Sequence, residues 1–169
     1  MMPKIERIKK RHLLKKREQR DEIARIEGEI GSPIERLDGK IQLEAGVLDD
    51  GSRILLLDGE IIFFEHEGRM FPTLRALLHG LIDVPRITVD MGAVRFVVNG
   101  ADIMRPGITE IDHRVRENCI VVVVDENHSK PLAVGVSKLS ADDLRAASSG
   151  KVIKSVHHIN DDLWVFGKS

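Results

Sequence analysis

The stretch that decides the reading is Asp90-Met91-Gly92-Ala93-Val94-Arg95-Phe96-Val97-Val98-Asn99-Gly100-Ala101-Asp102-Ile103-Met104-Arg105-Pro106-Gly107. Two small-residue pairs, Gly92-Ala93 and Gly100-Ala101, flank an apolar run. Small side chains let a backbone come close to another surface, either a neighbouring strand or the backbone of a ligand. Asn99-Gly100 is turn chemistry, and Pro106-Gly107 breaks the chain again. The segment therefore reads as a short helix or turn over 92–99, then a broken strand over 101–111.

Short strands surround it. Arg86 to Val89 is one. Cys119 to Asp125 carries Ile120-Val121-Val122-Val123-Val124, a β-branched run suited to a strand buried on both faces. Pro131 to Val136 is the next. Ser140 starts a short helix, with Asp143 three residues on to complete a cap. Val152 to Ile159 and Leu163 to Phe166 read as the last strands, joined over Asn160-Asp161-Asp162. Closely spaced strands with turn signals predict a small barrel.

The N-terminal part reads differently. Lys15 to Ile26 is rich in helix formers, with Ile23, Ile26 and Ile30 on one face and Gly28, Gly31 and Ser32-Pro33 as stop signals. Ile8 to Leu14 fits either a lead-in strand or an earlier helical turn. Residues 41–65 read as a β-meander, with Asp58-Gly59 as a hairpin turn. Pro72 sits at the start of a short helix running from Thr73 to Gly80. Asp83-Val84-Pro85 then divides the chain. The expected architecture is α+β: a small N-terminal domain over 1–85, and a β pseudo-barrel over 86–169.

Charge is uneven. The chain of 169 residues has a formal charge of −1, yet residues 1–26 carry +6, residues 27–85 carry −7, and the remainder is neutral. The basic arm either pairs with the acidic stretch or meets phosphate. No apolar run reaches ~18 residues, and the N-terminus lacks a signal-peptide core, so a cytoplasmic protein with no membrane contact is expected.

No standard catalytic pattern is present. The seven histidines and single cysteine have no metal-ligand spacing. There is no phosphate loop and no nucleophile elbow. Cys119 opens an apolar run and reads as a structural thiol. Asp142-Asp143 and Asp161-Asp162 are explained by a helix start and a turn. The expectation is a protein that is not an enzyme, with no metal and no cofactor.

The residues from Asp90 to Gly107, with Pro131-Leu132-Ala133-Val134-Gly135-Val136, Gly150-Lys151 and His157 to Trp164, resemble in order the PUA domain, an RNA-binding barrel. Asp58 to Phe64 and Phe71 to Arg75 are similar to the domain that precedes it in the family of the malignant T-cell amplified protein and ligatin. The resemblance implies a non-catalytic RNA-binding protein of the translation apparatus. It implies partners: the tRNA acceptor end or small-subunit rRNA, the small ribosomal subunit, and a density-regulated type of protein.

Carried over, the RNA surface comprises Gly92, Ala93, Arg95, Asn99, Gly100, Ala101, Met104, Arg105 and Lys151, with Pro106 and Gly107 shaping its edge. Arg95 and Arg105 pair with phosphate. Asn99 either touches a base or closes its turn. Phe96 lies in the same stretch, but it and Met104 are expected in the core. Trp164 is expected to pack the barrel. Lys151 and Lys154, three apart on a strand, are expected on opposite sides. Where many members carry a cation before the Gly-Ala pair, this chain has Met91. Two other readings are an accessory subunit for a tRNA or rRNA modification enzyme and a protein-interaction module.

Overall fold

The computed structural model describes residues 5–34 and 41–166. The chain forms two compact units, one from Val84 to Trp164 and one that comprises the N-terminal residues through Asp83 together with Val165 and Phe166.

The first unit is a five-stranded antiparallel sheet in sequence order, β1 (Lys9–Leu13), β2 (Leu43–Val47), β3 (Arg53–Leu57), β4 (Glu60–His66) and β5 (Arg69–Pro72). Asp58 (φ 51°) and Gly59 (φ 83°) make the β3–β4 turn, as the Asp-Gly pair predicts. Helix α1 (Lys16–Ile30) runs between β1 and β2 and ends at Gly31, whose φ of 82° supplies the left-handed cap. Its Ile26 is fully buried against Leu43, Leu55, Ile62 and Phe63. Gln19 fixes the helix by donating to the Ile41 carbonyl and accepting from Leu43 N–H. Residues 9–13 are thus a strand, the first of the two readings left open.

Pro72 ends β5 rather than starting a helix. The cap of α2 (Leu74–Leu78) is Thr73, whose Oγ1 accepts from Ala76 N–H at 3.1 Å and donates to the Ile61 carbonyl. The meander also runs one strand further than residue 65, because Glu67 and Gly68 take positive φ and turn the chain into β5.

The second unit is a six-stranded sheet curled into a pseudo-barrel: β6 (Arg86–Val89), β7 (Ile103–Met104), β8 (Ile108–Ile111), β9 (Ile120–Asp125), β10 (Pro131–Ser137) and β11 (Lys151–His158). Its order is β7-β11-β10-β9-β6-β8. All six residues of β9 are buried between parallel β6 and antiparallel β10, as its unbroken β-branched run requires. Helix α3 (Met91–Val97) follows β6. Helix α4 (Ala141–Ala146) is capped by Ser140, whose Oγ accepts from Asp143 N–H.

One element differs in kind. Residues 163–166 are not a strand: Asp162–Phe166 is helix α5. Asp161 stands just before it, and its Oδ1 accepts from Trp164 N–H at 2.8 Å, an N-cap bond. Trp164 sits half-buried on this short helix.

Candidate nucleic-acid interface

The site is assembled from α3, β7 and the start of β11. Asp90 caps α3, accepting from Ala93 N–H at 2.8 Å, and its own N–H donates to the Gly107 carbonyl. The helix start is therefore tied to the 3-10 turn Arg105–Gly107 that links β7 to β8. On the far side, β7 pairs with β11, setting Met104 opposite Lys151.

The small residues divide by role. A side chain on Gly107 would meet the Ala93 Cβ at 3.2 Å, and one on Gly100 would meet the His158 ring at 2.8 Å. Gly100 also holds φ at +89°. At these positions the close approach is to the protein's own neighbours. Gly92 is exposed, as are Ala101 and Pro106, so these three remain on the outer face.

The apolar residues correct the expectation. Phe96 is 54% exposed and Met104 is 46% exposed, so neither belongs to the core; Met91, on the same helix as Phe96, is 45% exposed. The reason is phase. Val94, Val97 and Val98 turn inward on α3, which leaves Phe96 outside, and on β7 Ile103 takes the buried side and Met104 the other. The Arg95 guanidinium lies over the Phe96 ring, 4.7 Å from its centroid. An exposed aromatic thus carries a cation on one face.

The two arginines are not equivalent. Arg105 is half-buried and donates from Nε to the Leu144 carbonyl at 2.6 Å and from Nη1 to the Ile108 carbonyl at 3.2 Å. It braces α4 and β8 rather than offering an open fork to phosphate. Asn99 is exposed, and its Nδ2 donates to the Arg95 carbonyl at 2.8 Å, closing the helix end. Lys151 and Lys154 are both exposed, against the expected opposition, because β11 slips register against β7 between Lys151 and Ile153 and so buries Val152 and Ile153 in succession.

A six-stranded pseudo-barrel of this order, with an exposed helix–strand surface after its first strand, defines a PUA-domain protein. The PUA domain model matches residues 85–159, and a second model, a domain of unknown function (DUF1947), matches residues 10–80. An uncharacterized protein of Methanocaldococcus jannaschii is 37% identical over 162 residues, covering 94% of this chain and 98% of that one. Translation machinery-associated protein 20 of Saccharomyces cerevisiae is 32% identical over 134 residues, covering 75% and 74%. Malignant T-cell-amplified sequence 1 of Danio rerio is 40% identical over 115 residues, 66% of this chain and 64% of that protein. A solved PUA-domain protein of Aeropyrum pernix superposes with a TM-score of 0.82 at 25% identity, covering 96% of this chain and 92% of that one. The chain belongs to the PUA-domain family that includes the malignant T-cell-amplified sequence proteins and Translation machinery-associated protein 20.

Proposed function

We propose that this chain is a non-catalytic RNA-binding protein of the translation apparatus, and that it holds a single-stranded RNA end on the α3–β7–β11 surface. The observation that carries the reading is the exposed Phe96 with Arg95 over one face, in a PUA barrel, beside Met91 and Met104. Aromatic and thioether surfaces receive unstacked bases, and neighbouring cations take the backbone. Gly92, Ala101 and Pro106 leave the backbone open to approach. Arg95 and Lys151 are the cations of the surface. Ala93, Asn99, Gly100, Arg105 and Gly107 shape it from behind.

The name of the yeast relative ties that protein to the translation machinery. The resemblance to that family supports the tRNA acceptor end or small-subunit rRNA as the RNA in question, with the small ribosomal subunit and a density-regulated type of protein as the proposed partners. The test is binding to tRNA with and without its 3′ single-stranded end. Tighter binding to the intact tRNA supports the acceptor end. Equal binding to both, with capture of small subunits, moves the site to rRNA. Co-purification with an RNA-modifying enzyme and not with subunits overturns the translation reading.

A further inference from the structure

The first unit carries a basic surface that the PUA site does not use. Lys9 and Lys10 lie on the edge strand β1, and Lys15, Lys16, Arg17 and Arg20 lead into and line the start of α1; all six are exposed. Of the cations from Lys9 to Arg20, Arg11 makes an ion pair among the described residues, with Glu44 at 2.6 Å. Among the described residues, the acidic stretch pairs with only a small part of the arm's charge.

The placement also runs against local stability. Lysine has no acceptor for an N-cap, yet Lys15 stands there, and Lys16 and Arg17 follow in the first turn, at the positive end of a fifteen-residue helix. Glu18 gives partial relief by accepting from Lys15 N–H at 3.1 Å. On β1 the register slips between Lys9 and His12, and Lys10 holds φ at 51°, so the lysines stand on a bulge. Cations set where they oppose the helix dipole are expected where an external anion offsets their cost.

We infer that this face of β1 and α1 is a second RNA-backbone site, independent of the α3–β7–β11 surface and resting on the RNA-binding reading of that surface. An anionic membrane fits less well. A helix lying on a membrane inserts an apolar face, and here Ile23, Ile26 and Ile30 are packed into the unit's own core.

The experiment is tRNA binding by the full chain across about 50 to 200 mM salt. It compares the parent protein, a Lys9→Gln/Lys16→Gln/Arg17→Gln/Arg20→Gln variant, and Phe96→Ala. Removing four phosphate contacts lowers the log–log salt slope by about 3, so the parent loses roughly 50-fold more affinity over this range than the variant. Phe96→Ala weakens binding and leaves the slope in place. An Arg17→Gln/Arg20→Gln pair, on the outer face of α1, repeats the test with half the change should the fourfold variant melt early.

An unchanged slope overturns the inference, and a variant that then aggregates marks the lysines as guards of an open sheet edge. Parent binding to phosphatidylserine vesicles that the variant loses, with tRNA binding intact, overturns it in favour of a membrane. Weakening by Phe96→Ala alone leaves the PUA reading standing without the second site. No binding of tRNA or of small ribosomal subunits by the parent overturns both.

Discussion

Arg95 and Arg105 stand ten positions apart on one short segment, and the fold gives them opposite work. Arg105 spends two of its donors on main-chain carbonyls, so Arg105→Ala is expected to cost about 2 kcal/mol of stability, since bonds from a charged donor are worth ~1.5–3 kcal/mol each before relaxation. Thermal unfolding reads this, and an unshifted melt removes the brace. Phe96 is the reverse case. Its ring is exposed, so Phe96→Ala leaves the melting temperature in place while tRNA affinity falls about tenfold, as the loss of one base–aromatic stack requires. A lower melting temperature with unchanged affinity would return Phe96 to the core. The outward position of Phe96 was legible in the spacing of Val94, Val97 and Val98; its apolar character argued for the inside, and periodicity won. The brace made by Arg105 was not legible, because Leu144 comes beside it only through the fold.

Among elements, β11 decides the most. Gly135 on β10 lies where β11 slips register, and a side chain there would sit 2.4 Å from the Lys154 carbonyl oxygen and 3.1 Å from Ile153. Gly135→Ala must move backbone and is expected to cost at least ~2 kcal/mol by chemical denaturation, more than ordinary overpacking against a side chain that can turn aside. Equal stability would mean the two strands separate freely. The end of β11 depends on Asp161. Burial opposes its charge, but the His157 ring at 2.8 Å and the N–H groups of Trp164 and His158 outweigh that and hold its carboxyl below the usual value. Asp125 is held low by the N–H groups of His128, Lys130 and Asn127, and Asp112 by Arg114. A carboxyl whose folded value is depressed contributes stability above its unfolded value, near pH 4, and loses it as pH falls further. The melting temperature should therefore fall on acidification below about pH 4, and less steeply in Asp161→Asn. An equal fall in both would remove Asp161 from the linkage.

Elements with strong local signals were readable: the β9 run, the Asp58-Gly59 hairpin and the Ser140 cap each state their conformation in adjacent residues. The helix over residues 163–166 reads as a strand because Asp161 serves a turn and a cap equally well on paper, and four consecutive apolar residues, Leu163 to Phe166, fit a strand as well as a helical turn. The slip that puts Lys151 and Lys154 both in solvent has no local signature. It depends on how β7, some fifty residues earlier in the chain, pairs with β11.

At the scale of the whole molecule, a formal charge of −1 describes nothing that a partner would meet. The first unit exposes cations on β1 and at the start of α1 that make no ion pair among the described residues, and it uses two carboxylates internally, Glu22 with Arg25 and Arg53, and Glu44 with Arg11. The second unit is nearly neutral in sum and offers an aromatic, sulfur and arginine surface instead. Affinity for RNA should accordingly separate into a salt-steep part and a salt-flat part, assigned to different residues.

The strand order of the barrel has a consequence in time. Each ladder that closes it joins distant segments, Ile87 with Val123 and Met104 with Lys151, whereas the first unit's meander pairs Leu56 with Ile61 and Phe64 with Phe71. Distant pairings are slow to find. The single tryptophan, Trp164, is assigned to the barrel unit, while far-ultraviolet circular dichroism sees both units. In refolding, ellipticity should recover in part before the fluorescence moves; simultaneous recovery would mean the two units fold as one. A chain emerging from synthesis would then have its cationic face in shape well before its aromatic one, since β7 has no partner until β11 has been made.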